Sequence, residues 1–268
     1  MSSSKPKVIV CKTLGQATPI LMQHKDVVDF VIWDRDEACD RAWLLENIKG
    51  AAGLMVLLGE KVDQELLDAA GPTLRVVSTV SVGYEHIDLP LTVSRGVRVG
   101  YTPNVLTEAV ADVAVMLALM ASRSDGQIYN LVKTGSWAQP SLVWSPFLFC
   151  GPQLSTTSTS PTRTVGFLGF GRIAQATLKR LAAFGITHCI YSGNPKSGNT
   201  ISAAHAERDA ALKKKLELQS IERVDLDRLA LESDLVILLT PGGKDTYHAI
   251  GEDFLKKMKP MSVIVNAG

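Results

Sequence analysis

The chain has 268 residues, 46% of them hydrophobic and 21% charged, with a formal net charge of +1. That length suffices for one or two domains with sizeable cores, and the near-neutral charge removes the electrostatic case for nucleic acid or an anionic membrane as a partner. Cys11, Cys39, Cys150 and Cys189 form no C-x-x-C pair, the first seven residues lead into no apolar signal core, and no run approaches the ~18 apolar residues of a membrane span. Reduced thiols, no metal site and a cytoplasmic setting are the expectation.

Strands are expected at residues 8–10, 30–33, 53–58, 75–79 and 97–99, with helix-forming stretches at 41–48 and 63–70 between them. Such alternation gives a parallel sheet with crossover helices, whose ligands sit beyond the carboxyl ends of the strands. The loop VSVGY at 80–84 occupies one such end. Its small residues read either as a nest of backbone N–H groups for a carboxylate or as an ordinary turn. GYTPN at 100–104 punctuates the chain and sets a boundary near residue 103, dividing it into a domain over 1–103 and another over 104–268. The following helix, 106–122, is apolar almost all round, as a helix buried between two domains would be. After a further helix at 125–133 come Gly135, Trp137, Trp144, Pro146 and Phe147, an aromatic loop suited to packing against another subunit. STTSTSPTRT at 155–164 reads as a flexible polar insertion.

Residues 164–185, TVGFLGFGRIAQATLKRLAAFG, read as strand, glycine turn and helix in one run. Gly169, Gly171 and Ala174 form G-x-G-x-x-A, which allows a tight turn, close backbone approach to a pyrophosphate, and packing of helix on strand. The helix start supplies unpaired N–H groups and a positive dipole end. A merely structural glycine turn is the competing reading. Residues 188–192 form the next strand, after which an NAD-preferring protein places a carboxylate for the ribose 2′-hydroxyl. No Asp or Glu occurs between Phe170 and Ala206. Ser192, Gly193, Asn194 and Lys196 are there instead, suited to a 2′-phosphate, so NADP(H) is favoured over NAD(H) unless SGNPKSGN is only a polar turn. A charged helix at 203–218, with Lys213, Lys214 and Lys215, reads as a solvated face. Residues 226–231 lead to a strand at 234–240, then come a helical stretch at 254–258 and a last strand at 262–265.

STVSVGYEHID at 78–88, RGVRVGYTPNVLTEAVAD at 95–112, KTGSW, VGFLGFGRIAQA, SDLVILLTP and KPMSVIVNAG together resemble the D-isomer-specific 2-hydroxyacid dehydrogenases over residues 8–268, most of all their glyoxylate/hydroxypyruvate reductase branch. The resemblance implies an α/β fold of two doubly wound parallel-sheet domains, a flavodoxin-like substrate domain and a Rossmann NAD(P)-binding domain, both incomplete at the C-terminus. It also implies a homodimer acting on a small 2-oxo or 2-hydroxy acid. By the same resemblance the N–H groups of Val82 and Gly83 hold the substrate carboxylate, and Trp137 reaches toward the neighbouring subunit's substrate pocket. Gly169, Gly171, Arg172 and Ile173 hold the pyrophosphate, Thr107 touches the cofactor, Thr240 and Pro241 line its ribose and adenine side, and Asn266 lies at the cofactor. The family's arginine belongs to N-x-x-R-G, whose first three positions match Asn266, Ala267 and Gly268, so the catalytic Arg, Glu and His fall beyond Gly268. No residue present replaces them: His86 reads as a local packing or capping residue, and Glu108 and Asp112 as hydrogen-bonding groups on their helix. A chain of this length is expected to be inactive by itself. Open alternatives are a non-catalytic, corepressor-like NAD(P)-binding protein, and an interaction protein dimerising through residues 137–149.

Overall fold

KVIV, GLMV, VVST, TVGFL and LVIL are β-branched and aliphatic with little polar alternation, as strands covered on both faces of a parallel sheet must be. The computed structural model describes residues 5–138, 153–193, 201–242 and 246–268. In it β1 (Lys7–Val10), β2 (Asp29–Ile32), β3 (Gly53–Val56), β4 (Val76–Thr79) and β5 (Arg98–Gly100) pair in parallel in the order β2-β1-β3-β4-β5. A second parallel sheet joins β6 (Thr164–Leu168), β7 (His188–Ser192), β8 (Ser220–Arg223), β9 (Leu235–Leu238) and β10 (Val263–Asn266) in the order β10-β9-β6-β7-β8. The first order is flavodoxin-like, and the second, counted from β6, follows the first five strands of the Rossmann order 3-2-1-4-5-6. The chain divides into two compact units, Met1–Val105 and Leu106–Gly268.

Capping side chains fix where several crossover helices begin. Asp40, Asp63, Asp88 and Asp225 accept from the backbone N–H groups of Trp43, Leu66, Leu91 and Arg228 at the starts of Arg41–Asn47, Gln64–Ala70, Leu89–Ser94 and Leu226–Glu232. Ser202 does the same for His205 at the start of Ala203–Lys215. Each such cap stabilises its helix by about 1 kcal/mol. Beneath them, Ile9, Leu44, Leu54, Leu66 and Val77 form the core of the first unit. The second unit has a core on each face of its sheet, one around Phe167, Leu178, Leu181 and Ile237, the other around Leu168, Ile190, Leu229 and Phe254.

Four sequence expectations differ from the structure. The helix Thr107–Ser122 buries Ala111, Ala114, Val115 and Ala118, packing on the helix Arg172–Ala182 and on β10, but Val113, Met116 and Met120 remain 40–49% exposed. Its alanines permit close approach on one side only. Residues 155–163 form an ordered turn rather than a flexible insertion: Thr157 and Ser160 exchange backbone bonds, Thr156 N–H donates to the Phe184 carbonyl at 3.2 Å, and Leu154 is buried. Hydroxyl-rich sequence satisfies its own backbone locally. Strand β8, SIER, is too short and polar to stand out from periodicity, yet it pairs with β7 at the sheet edge. Asp209 of the helix Ala203–Lys215 is buried, so that helix is not a wholly solvated face.

Gly166 sits in the middle of β6 with Leu229 and Ser233 directly over it. A Cβ there would overlap Ser233 Oγ and lie 2.9 Å from Leu229 Cδ1. Both neighbours are buried, and Ser233 Oγ is held by the Leu229 carbonyl at 2.6 Å. Gly166→Ala should therefore destabilise the protein by about 1–3 kcal/mol through overpacking. Urea melts of the two proteins check this, and an unchanged midpoint would show that the helix moves aside without cost.

Candidate functional site

The carboxyl ends of β6 and β9 meet where the strand order of the second sheet reverses. Gly169 follows β6 with φ +89°, a conformation that favours glycine. A Cβ on it would lie 2.7 Å from Thr240 Cγ2 and 2.9 Å from the Leu239 carbonyl. Its N–H donates to the Ser192 carbonyl at 2.8 Å. The turn is thus pressed against β7 on one side and the end of β9 on the other. Gly171 is the N-cap of the helix Arg172–Ala182 and provides no side-chain cap, leaving the first N–H groups of the helix for another acceptor. Nothing lies within 4 Å of the position a Gly171 Cβ would take. Gly171 and Arg172 are exposed and Ile173 is half-buried. Open space, unpaired donors and a dipole end fit a phosphate group.

Sequence-chosen residues from four strands gather at this end. Thr240 is half-buried and Pro241 exposed. Asn266 closes β10 opposite Leu238, and Gly268 packs on the Thr240 backbone. Ser192 ends β7 but is only 4% exposed, with its hydroxyl toward the Gly193 carbonyl at 3.5 Å. Asn194 and Lys196 lie outside the described residues, as do Trp144, Pro146 and Phe147. Thr107 is half-buried at the start of its helix, in which Glu108 and Asp112 pair with Arg180 at 2.8 and 2.6 Å. Trp137 is 38% exposed in the short turn Ser136–Ala138.

Sequence reading missed the support beneath the glycine turn. Tyr191 is buried, stacks on Phe170 with 4.4 Å between centroids, and donates its hydroxyl to Asp209 at 2.7 Å. Burial first, and then that hydrogen bond, push its phenol up to about 12. Arg208 pairs with Asp209 at 2.6 Å. An Arg-Asp pair about two turns past the Ser202 cap of this helix was the available signal.

In the first unit, β4 delivers the loop 80–84. Val80 N–H still belongs to the sheet, donating to the Val56 carbonyl at 3.0 Å. Among the described residues the N–H groups of Val82 and Gly83 have no acceptor, as a carboxylate nest requires. Ser81 Oγ donates to the Gly83 carbonyl at 2.6 Å and also lies 2.6 Å from Thr79 Oγ1, which is 3.0 Å from His86 Nε2. A hydroxyl has one proton to give. Ser81 gives its proton to Gly83, so Thr79 donates to Ser81, and His86 donates from Nε2 to Thr79. This directional chain braces the loop from below and makes His86 a packing residue of it. Burial lowers the imidazole pKa from 6.5, against the opposing pull of Glu85 and Glu60. Among the described residues no group of three His, Cys, Asp or Glu could hold a metal ion, and no helix is long and apolar enough to cross a membrane.

Residues 8–259 match the family model described as D-isomer specific 2-hydroxyacid dehydrogenase, catalytic domain. A glyoxylate reductase of Thermofilum pendens is 35% identical over 268 residues, spanning 98% of this chain and 70% of that protein. A mouse glyoxylate reductase/hydroxypyruvate reductase is 38% identical over 234 residues, 87% of this chain and 64% of the mouse protein, so the chain spans less than two thirds of that relative. Among solved structures, an NADPH-dependent glyoxylate/hydroxypyruvate reductase from Sinorhizobium meliloti, in complex with NADP and malonate, matches with a TM-score of 0.73 at 28% identity, covering 99% of this chain and 72% of that one.

The His86 chain sets a pH dependence of stability. With its folded pKa below 6.5, the imidazole binds its proton more readily in the unfolded chain, so stability is full above that value and falls as pH drops through it. His86→Gln, which keeps a side-chain N–H donor and does not titrate, should flatten the slope of melting temperature between about pH 5 and 7. Equal slopes for both proteins would remove His86 from the account.

Proposed function

Because the chain belongs to the D-isomer specific 2-hydroxyacid dehydrogenase family, we propose that it is an NADPH-preferring 2-oxoacid reductase whose substrate is glyoxylate or hydroxypyruvate. The observation that carries the cofactor half of this reading is the turn at Gly169 and Gly171, closed against Thr240 and open at the helix start. A bound nicotinamide cofactor supplies hydride for the substrate carbonyl carbon. The chain's own tasks are to hold the two molecules. N–H groups of Gly171, Arg172 and Ile173 take the pyrophosphate, with Thr240, Pro241, Asn266 and Thr107 around the rest of the cofactor. Val82 and Gly83 N–H groups take the substrate carboxylate, and two donors converging on one anion favour an acid over a neutral carbonyl compound.

The preference for NADP(H) rests on Ser192, Asn194 and Lys196 standing where an NAD-preferring protein has a carboxylate. The nearest acidic residues that follow are Glu207 and Asp209. Asp209 is buried in its pairing with Tyr191 and Arg208, away from a role as a free ribose acceptor. A homodimer is part of the proposal, supported by the exposed apolar side chains Val113, Met116 and Met120, with Trp137 reaching the neighbour's pocket. Polarising the ketone and delivering the proton need the arginine, glutamate and histidine that the resemblance assigns beyond Gly268.

Two outcomes follow for a polypeptide of these 268 residues. NADPH should bind more tightly than NADH in titrations followed by nicotinamide fluorescence, and tighter NADH binding would overturn the preference. Mixed with NADPH and glyoxylate or hydroxypyruvate, it should show negligible loss of absorbance at the nicotinamide band. Clear turnover would mean that residues within the chain do the acid-base work.

A further inference from the structure

The helix Ala203–Lys215 builds one of its turns into the floor of the glycine turn. Phe170, between Gly169 and Gly171, is 7% exposed, its ring between Phe167 and Tyr191. The Arg208 guanidinium lies 4.9 Å from the Phe170 ring centroid and 5.3 Å from that of Tyr191. Its Nη1 donates to the Phe170 carbonyl at 3.4 Å, its Nη2 to the Tyr191 hydroxyl at 3.0 Å, and its Nε to Asp209 Oδ1 at 2.8 Å. Gln175 Nε2 adds a second donor to the Phe170 carbonyl at 3.3 Å.

A trans peptide is planar, so the Phe170 carbonyl and the Gly171 N–H point in opposite directions, and the described chain contains no cis bond. Two donors on the carbonyl side therefore set where the N–H faces: away from Arg208, at the N-cap whose side is open. This peptide pivots on ψ of Phe170 and φ of Gly171, and glycine resists such rotation least. A reversed peptide would turn a carbonyl oxygen toward an approaching phosphate. Arginine suits the task because its planar fork donates in several directions while stacking on aromatic faces, which an ammonium cannot do.

We propose that Arg208 is a positioning residue for dinucleotide binding: with Asp209 and Tyr191 it pins the Phe170–Gly171 peptide so that the Gly171 N–H is presented to the pyrophosphate. The inference rests on the dinucleotide reading given above. Arg208 is paired with Asp209 and does not serve as a phosphate ligand, so its effect is blind to the 2′-phosphate.

The test uses the 268-residue chain and equilibrium titrations with NADPH, NADH and adenosine 2′-monophosphate, the last lacking a pyrophosphate. Arg208→Gln should weaken NADPH and NADH by a common factor of about ten, the scale of one lost charge-assisted interaction, and leave adenosine 2′-monophosphate unchanged. Arg208→Lys should recover only part of the loss. Tyr191→Phe keeps the ring stack and removes one member of the clamp; it should give a smaller loss of the same pattern, and it decides the matter alone if Arg208→Gln does not fold. Hydrogen exchange at residues 169–173 should quicken in both variants. Wild-type affinity in the folded variants, a loss confined to NADPH, or an equal loss for all three ligands would each overturn the proposal. Failure of the unaltered chain to bind either dinucleotide would instead overturn the reading on which it rests, and the inference with it.

Discussion

Everything around the glycine turn of the second unit depends on how closely β6 and β9 run together past their last paired residues. Leu168 is opposite Leu238 in the ladder, and one residue later Gly169 has no room for a side chain against Thr240 and Leu239. With φ +89° the chain reverses there and enters a helix with its N–H groups unspent. Substituting any L residue at Gly169 strains the backbone and collides with backbone atoms at once. The strand pairing, the turn and the donor array are therefore a single steric arrangement.

Much of this was legible in the sequence because it is written in local chemistry. Glycine at 169 and 171 and the apolar runs on either side each have a mechanism within a few residues. The features that escaped are those whose meaning comes from elsewhere in the chain. Strand β8 is a strand because β7 offers it an edge, not because SIER favours one. Arg208 and Asp209 look like surface charges until Tyr191, 18 residues earlier than Asp209, is seen to need an acceptor for its buried hydroxyl. The apolar face of Thr107–Ser122 misled in the other direction, since composition says that a side chain is apolar and not that its neighbours cover it.

The first unit uses a different device for a similar end. Its loop 80–84 is not pressed into place by close-packed backbone but suspended from a row of hydroxyls ending at an imidazole. A steric arrangement of the first kind tolerates changes of pH. A hydrogen-bonded row ending at a partly buried imidazole does not, because burial penalises the protonated ring, and the two units are braced to different standards.

Asp234 brings a further consequence. Its carboxylate accepts from Thr164 N–H at 2.8 Å and from Lys259 Nζ at 2.8 Å, tying the start of β9 to segments 70 residues earlier and 25 residues later. Parallel strands so distant along the chain are joined only after a long loop closes, an entropic toll met before the pairing gives anything back. The glycine turn at the far end of the same strands is thus complete only in a sheet that has already assembled, and on the proposed function a dinucleotide held there would act as a clasp on the whole unit, its stabilising effect growing with the logarithm of its concentration.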